Sequence, residues 1–235
     1  MRVLAVGAHP DDVELGCGGA LLRHSARGDR ITILVLTRGE RGVFEERSRY
    51  AEQRTAARIL GADLLWGPFA DGDVAFGPDL VRVVDEAVGS SGADVMYTHA
   101  VDDSHQDHHA ASRACLAAAR RLSSVLFYET PSTQRFHPTV FIDVAQVLDA
   151  KVALVQSHGS QVDRGGPVDL DALVAQARFR GSQGRSGHAE GFEVARFRWD
   201  LGREQATDDA VLTSDPAALL RGAAPGPEDS LGLFR

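Results

Sequence analysis

Cysteine is nearly missing from this 235-residue sequence: Cys17 and Cys115 are too few for a disulfide framework or for a zinc site built of thiolates. A reducing compartment suits such a chain, and the cytoplasm is the expected location. Long apolar runs are missing as well. No window approaches the roughly 18–20 consecutive apolar residues of a membrane-spanning helix, so no membrane partner is expected. Met1 to Gly7 leads directly into an apolar strand pattern, with no basic stretch and long hydrophobic segment ahead of it, which predicts no export signal. An excess of bases is the third absence. Lys and Arg total 25 against 33 Asp and Glu, for a formal net charge of −8, whereas binding to nucleic acid draws on clustered Lys and Arg. Nucleic acid is therefore excluded as a partner.

Apolar material is plentiful, at 43% of residues, enough for a sizeable core. Val3 to Val6 reads as a strand, a helix opens at Gly18 and Gly19 and ends near Gly28, and Ile31 to Leu36 is a second strand. Strand, helix, strand in this span is a βαβ crossover with parallel strands. The theme repeats: Arg47 to Leu60 is helical and leads to a strand at Asp63 to Trp66, then Asp79 to Val88 is helical and leads to Ala93 to Tyr97. The helix-forming segment His109 to Leu122 precedes a strand at Val125 to Tyr128. Runs such as Ile31 to Leu36 are apolar without alternation, as expected of strands covered on both faces. Beyond Glu129, Val140 to Val144 reads as an edge strand, and Val144 to Gln156 and Asp169 to Arg180 read as helices. These signs predict an α/β fold, a Rossmann-like three-layer sandwich with a mainly parallel sheet. A single domain is expected over residues 1–206, with 207–235, which hold Pro216, Pro225 and Pro227, as a surface or partly disordered tail.

In open α/β sheets ligands bind beyond the carboxyl ends of the strands. Two such ends are dense in zinc-ligand types. One carries Ala8-His9-Pro10-Asp11-Asp12-Val13-Glu14, the other His99-Ala100-Val101-Asp102-Asp103-Ser104-His105-Gln106-Asp107-His108-His109. Two His and one carboxylate, with one position left open, make a sufficient catalytic zinc set. A dinucleotide site at the first turn is the competitor. Asp11, Asp12 and Glu14 would repel its pyrophosphate, and Gly16, Gly18 and Gly19 come too late to cradle it. Those glycines suit close packing, and Asp12 is placed to cap the helix.

The two segments resemble the paired signatures of the LmbE-like, or PIG-L-like, N-acetylglucosaminyl deacetylases: His9-Pro10-Asp11-Asp12 with Gly16 to Gly19, and His105-Gln106-Asp107-His108. Weaker matches run through Thr37-Arg38-Gly39-Glu40, Arg49, Glu52 and Asp71-Gly72 to Lys151, His158 to Gln161 and Ala189 to Phe192. The resemblance implies that His9, Asp12 and His108 bind Zn2+, with Fe2+ compatible with the same ligand types. It implies Asp11 as general base, and His105, oriented by Asp107, as the group that stabilises the oxyanion or protonates the leaving amine. Arg49 and Asp71 match sugar-contacting positions. The implied activity is hydrolysis of an N-acetyl or other N-acyl group from an amino sugar or its conjugate, releasing acetate and a free amine. Amidase action on a thiol-sugar conjugate and a non-catalytic nucleotide-binding module are the alternatives. The implied partner is a small N-acetylated amino sugar, and the family's habit of self-assembly suggests a homo-oligomer.

Some family members carry a Tyr two residues before the first His of the second signature, where this chain has Asp103. Asp102 and Asp103 read as capping or solvated acids, or as groups supporting a ligand from behind. His99 and His109 read as ordinary surface or loop histidines, His158 as lining the mouth of the site, Cys17 and Cys115 as buried packing residues, and Glu190 as a structural hydrogen-bonding group. Arg49 could instead pair with Glu45 or Glu52 along its helix.

Overall fold

The computed structural model describes residues 1–41, 46–162 and 168–198. The tail expected over residues 207–235 lies outside them. The elements are β1 (Arg2–Gly7), α1 (Asp12–Ala26), β2 (Arg30–Val35), α2 (Glu46–Leu60), β3 (Asp63–Trp66), α3 (Pro78–Ser91), β4 (Val95–His99), α4 (Gln106–Ala118) and β5 (Ser124–Tyr128). They continue with β6 (Val140–Asp143), α5 (Leu148–Gln156), α6 (Gly159–Val162), α7 (Leu170–Gly184) and β7 (Ala189–Arg196). One seven-stranded sheet has the order β3-β2-β1-β4-β5-β7-β6. Its strands are parallel from β3 through β5, and β7 runs antiparallel to both β5 and β6. The α/β, mainly parallel reading of the sequence is thus the observed architecture.

Alternate residues of each strand enter different cores. Val3 and Ala5 of β1, with Ile31 and Ile33 of β2, pack with Val13 and Leu21 of α1, Leu60 of α2 and Leu154 of α5. Leu4 and Val6 face the other way, against Leu80 and Val84 of α3 and the small residues Ala110, Ala111 and Ala114 of α4. Burial on both faces is why these strands read as unbroken apolar runs.

The strand order reverses between β1 and β4, where neighbouring connections leave toward opposite faces and open a crevice at the carboxyl ends. Both helices flanking that crevice begin earlier than the sequence suggests. α1 starts at Asp12 rather than Gly18, and α4 at Gln106 rather than His109. Asp12, Asp107 and His108 therefore ride on first helical turns, where the positive end of the helix dipole favours the two carboxylates. α1 absorbs its early start by breaking step at Cys17 (φ −140°, ψ 17°). The N–H groups released there, of Gly19 and Ala20, donate to the Glu190 carboxylate at 2.8 and 2.7 Å. Lys151 Nζ closes the other side, donating to Leu15 O at 3.0 Å and to Glu190 Oε1 at 2.6 Å. The expectation for the glycines also holds: a Cβ on Gly16 would lie 2.0 Å from the Tyr128 ring, and one on Gly19 2.6 Å from Val144.

The strand β7 was not legible in the sequence. It enters the sheet between β5 and β6, so its pairing depends on partners about 50 and 70 residues upstream rather than on a local pattern. Among the described residues, no helix is long and apolar enough to cross a membrane.

Candidate active site

β1 delivers His9, Asp11 and Asp12, and β4 delivers His105 and His108, to one cavity of about 370 Å3 whose walls also carry Arg49 and Asp71. All eight residues singled out in the sequence thus converge, although the Asp107 side chain is fully enclosed behind the wall.

Hydrogen bonds assign the histidine tautomers. His9 Nε2 lies 3.1 Å from both Asp71 Oδ1 and Asp107 Oδ2, so it carries the proton and leaves the Nδ1 lone pair free. His108 Nδ1 lies 3.1 Å from Ser132 Oγ and 3.3 Å from Asp103 Oδ2, which leaves the Nε2 lone pair free. The two free lone pairs face each other at 3.3 Å. The Asp12 carboxylate completes the triangle, with one oxygen 3.4 Å from His9 Nδ1 and the other 3.3 Å from His108 Nε2. Metal–donor bonds of about 2.0–2.1 Å in a tetrahedron give edges of roughly 3.3–3.4 Å, so the donors fit a divalent cation. Carboxylates around both rings favour positive charge here: although burial opposes it, hydrogen bonds from the ring to Asp107, Asp12 and Asp71 lift the His9 pKa to about 12. Burial likewise opposes a charged His108, but Asp12 and Asp103 raise it to about 9. Asp12 is held well below the usual carboxylate range by the same imidazoles, against its burial.

Besides an all-histidine grouping of His9 with His105 and His108, two groupings that include a carboxylate lie within reach of a metal: Asp12 with His99 and His108, and His9 with Asp71 and Asp107. The first fails because His99 Nε2 already accepts the Ala8 N–H at 3.0 Å. The second fails because Asp107 accepts the Gly72 and Val74 N–H groups at 2.7 and 3.1 Å and never reaches the cavity, leaving no open coordination position.

Asp11 adopts φ 95°, ψ −26°, a left-handed conformation that costs a non-glycine residue on the order of 1–3 kcal/mol and is concentrated at functional sites. Its N–H donates to Gln53 Oε1 at 3.2 Å, and Arg49 Nη2 reaches both Pro10 O at 2.7 Å and Asp11 Oδ1 at 3.3 Å. Burial pushes the Asp11 pKa up to about 6, the pull of Arg49 being opposed by neighbouring Asp12. A carboxylate tuned to that range accepts a proton readily at neutral pH.

His105 Nδ1 accepts the backbone N–H of Asp107 at 3.2 Å, so its proton sits on Nε2, where the ring borders the cavity. The tie between these two residues runs through the backbone; the Asp107 carboxylate serves His9 instead. Burial and the charge of His108 and His9 lower the His105 pKa, which favours the neutral ring.

The family model described as PIG-L, GlcNAc-PI de-N-acetylase, matches residues 4–119. The uncharacterized deacetylase YaiS of Escherichia coli (strain K12) is 36% identical over 167 residues, covering 67% of this chain and 90% of that protein. This chain belongs to the PIG-L family. A second PIG-L family relative, the 1D-myo-inositol 2-acetamido-2-deoxy-alpha-D-glucopyranoside deacetylase 1 of Saccharopolyspora erythraea, is 26% identical, with 68% of this chain and 78% of that protein aligned. Among solved structures, the conserved protein TT1542 from Thermus thermophilus superposes with a TM-score of 0.78 at 31% identity, over 86% of this chain and 99% of that one.

Several residues of this PIG-L family member sit otherwise than the sequence implied. His99 is fully buried rather than a surface or loop residue, because β4 extends to it; its ring stacks on His108 with centroids 3.9 Å apart. Burial and the nearby His108 lower its pKa to about 4, so it stays neutral. Asp12 does not cap α1; its side chain accepts the His9 N–H at 2.7 Å. Asp103 is a fully enclosed carboxylate behind His108 that also accepts from the His105 N–H at 2.9 Å and the Thr133 hydroxyl at 3.0 Å. Arg49 is buried against Asp11 rather than paired along its own helix with Glu52, which instead accepts from Ser160; Glu45 lies outside the described residues. Gln53 and Glu14, joined at 2.7 Å behind Asp11, were not anticipated. Glu14 lay inside the first signature, and its burial follows from the early start of α1.

Proposed function

We propose that the chain is a zinc-dependent hydrolase that removes an N-acetyl, or other N-acyl, group from an amino sugar or amino-sugar conjugate. The observation that carries this reading is the pair of imidazole lone pairs facing each other at 3.3 Å beside Asp12, with Asp11 poised next to them on the cavity wall. A zinc ion held by His9, Asp12 and His108 would supply an electrophile that polarises the amide carbonyl and acidifies water toward a pKa of about 7.

The chain's own groups then divide the proton work. Asp11 Oδ accepts the proton of the attacking water. Arg49 keeps the Asp11 carboxyl ionised and fixed in direction. His105 Nε2–H, carried by the second signature loop, donates a hydrogen bond to the developing oxyanion. The proton taken by Asp11 is returned to the amine as the C–N bond breaks, giving a carboxylate and a free amine. Arg41 and Asp71 border the cavity on the β2 and β3 side and suit the hydroxyls of a sugar. The 2-acetamido sugar in the name of the Saccharopolyspora relative supports the substrate class.

The test is a screen of N-acetylated amino sugars and their conjugates for acetate release by zinc-loaded protein. Release of acetate and amine in equal amounts, abolished by chelation and by Asp11→Asn, is the expected result. Unchanged turnover in the Asp11→Asn protein would contradict the assignment of the base.

A further inference from the structure

A second cavity of about 290 Å3 adjoins the one that holds the site, the two sharing Leu15, Thr130, Pro131 and Val168 as a common wall. Its far side is formed by the first turns of α7, with Ala172 and Leu173. Leu15, Val168 and Leu173 belong to a small hydrophobic cluster of their own, separate from the two cores of the sheet.

The charged groups that border this second cavity are already engaged. Glu129 takes both arms of Arg180, at 2.7 and 2.6 Å. Asp169 accepts the Asp171 and Ala172 N–H groups at 2.9 and 3.1 Å as the cap of α7. The Thr130 hydroxyl is held against Asp103 at 3.2 Å. Among the described residues, an occupant therefore meets a mainly apolar surface, with the Gln176 amide at its edge, and finds no free charge to pair with.

Strand order places different chemistry on the two sides of the site. The metal donors follow the central strands β1 and β4. Arg41 and Asp71 follow β2 and β3 on one flank, whereas Thr130 and Pro131 follow β5 on the other. The polar flank suits the hydroxyl-bearing amine half of an amide, and the apolar cavity lies across the reacting carbonyl from it.

We infer that the second cavity takes the acyl half of the substrate, and that the preferred acyl group is an unbranched apolar chain longer than acetyl. This rests on the amide-hydrolase reading above. Burying each further methylene is worth about 0.8 kcal/mol, roughly a fourfold gain in kcat/KM, until the cavity is filled.

Two measurements test it. The first compares kcat/KM of the zinc-loaded protein for N-acetyl, N-butanoyl, N-hexanoyl and N-octanoyl glucosamine. The second needs no turnover: calorimetric binding of acetate and octanoate to the wild type and to Ala172→Trp, a change at an exposed position that fills the cavity and leaves the site residues in place. Expected are a rise in kcat/KM with chain length, tighter binding of octanoate than acetate, and loss of both gains in Ala172→Trp with acetyl hydrolysis unchanged. A fall in kcat/KM from acetyl onward, or octanoate binding untouched by Ala172→Trp, overturns the proposal. Tighter octanoate binding that Ala172→Trp removes, without cleavage of any amide, upholds the cavity and overturns the hydrolase reading alone.

Discussion

At Asp11 the chain holds a carboxylate in a conformation that most residues avoid, and it does so with Arg49 on one side and Gln53 on the other. Strain of that kind persists only where surrounding contacts over-determine it. Asp11→Asn keeps the shape and the hydrogen-bonding reach but cannot take a proton. It should lower kcat by about 10²–10⁴-fold while leaving bound metal unchanged, read from steady-state kinetics and metal analysis of the same preparation. Full activity would show that another group is the base. His9 and His108 make a prediction about protons. The carboxylates around the two rings raise the pKa of both, so the facing nitrogens, His9 Nδ1 and His108 Nε2, must give up any proton they hold before they can take a cation. Zinc binding should therefore release protons and weaken as pH falls, measured by calorimetry in buffers of different ionisation enthalpy. A binding heat independent of buffer would contradict the ligand assignment.

Among the elements, α1 shows how a strained site is supported from a distance. Its break at Cys17 leaves N–H groups that Glu190 of β7 satisfies, and Lys151 of α5 neutralises that carboxylate with both side chains almost wholly buried. Removing one partner of a buried pair leaves an uncompensated charge, so Lys151→Met should cost about 3–5 kcal/mol in denaturant unfolding. A loss under about 1 kcal/mol would mean that the break in α1 is supported otherwise. This staple also marks the limit of what the sequence could convey. Lys151 and Glu190 stood out by resemblance, but their meeting depends on β7 inserting between β5 and β6, which no local period announces. The parallel strands were legible because burial on both faces leaves unbroken apolar runs. The starts of α1 and α4 were not, since Pro10-Asp11-Asp12 and Ser104-His105-Gln106-Asp107 have the composition of loops, and the cap of α4 is a histidine, His105, rather than one of the usual capping residues. His99 was misread because its burial follows from where β4 ends and from the ring of His108 beside it.

For the molecule as a whole, the crevice between β1 and β4 joins two halves of the sheet, and a cation held by His9 and Asp12 from one and His108 from the other would tie them together. A ligand that binds only the folded state adds stability by mass action, about 2.7 kcal/mol when its concentration is 100 times its Kd. Chelation should lower the Tm of the wild type and restoring zinc should recover it, with no such effect in a variant without His108; a Tm indifferent to metal would argue against a shared site. The most direct test is the metal content of the purified protein beside that of His108→Ala. About one zinc per chain in the wild type, absent from the variant while its circular dichroism is unchanged, is the result predicted. Undiminished metal in the folded His108→Ala protein would contradict the site.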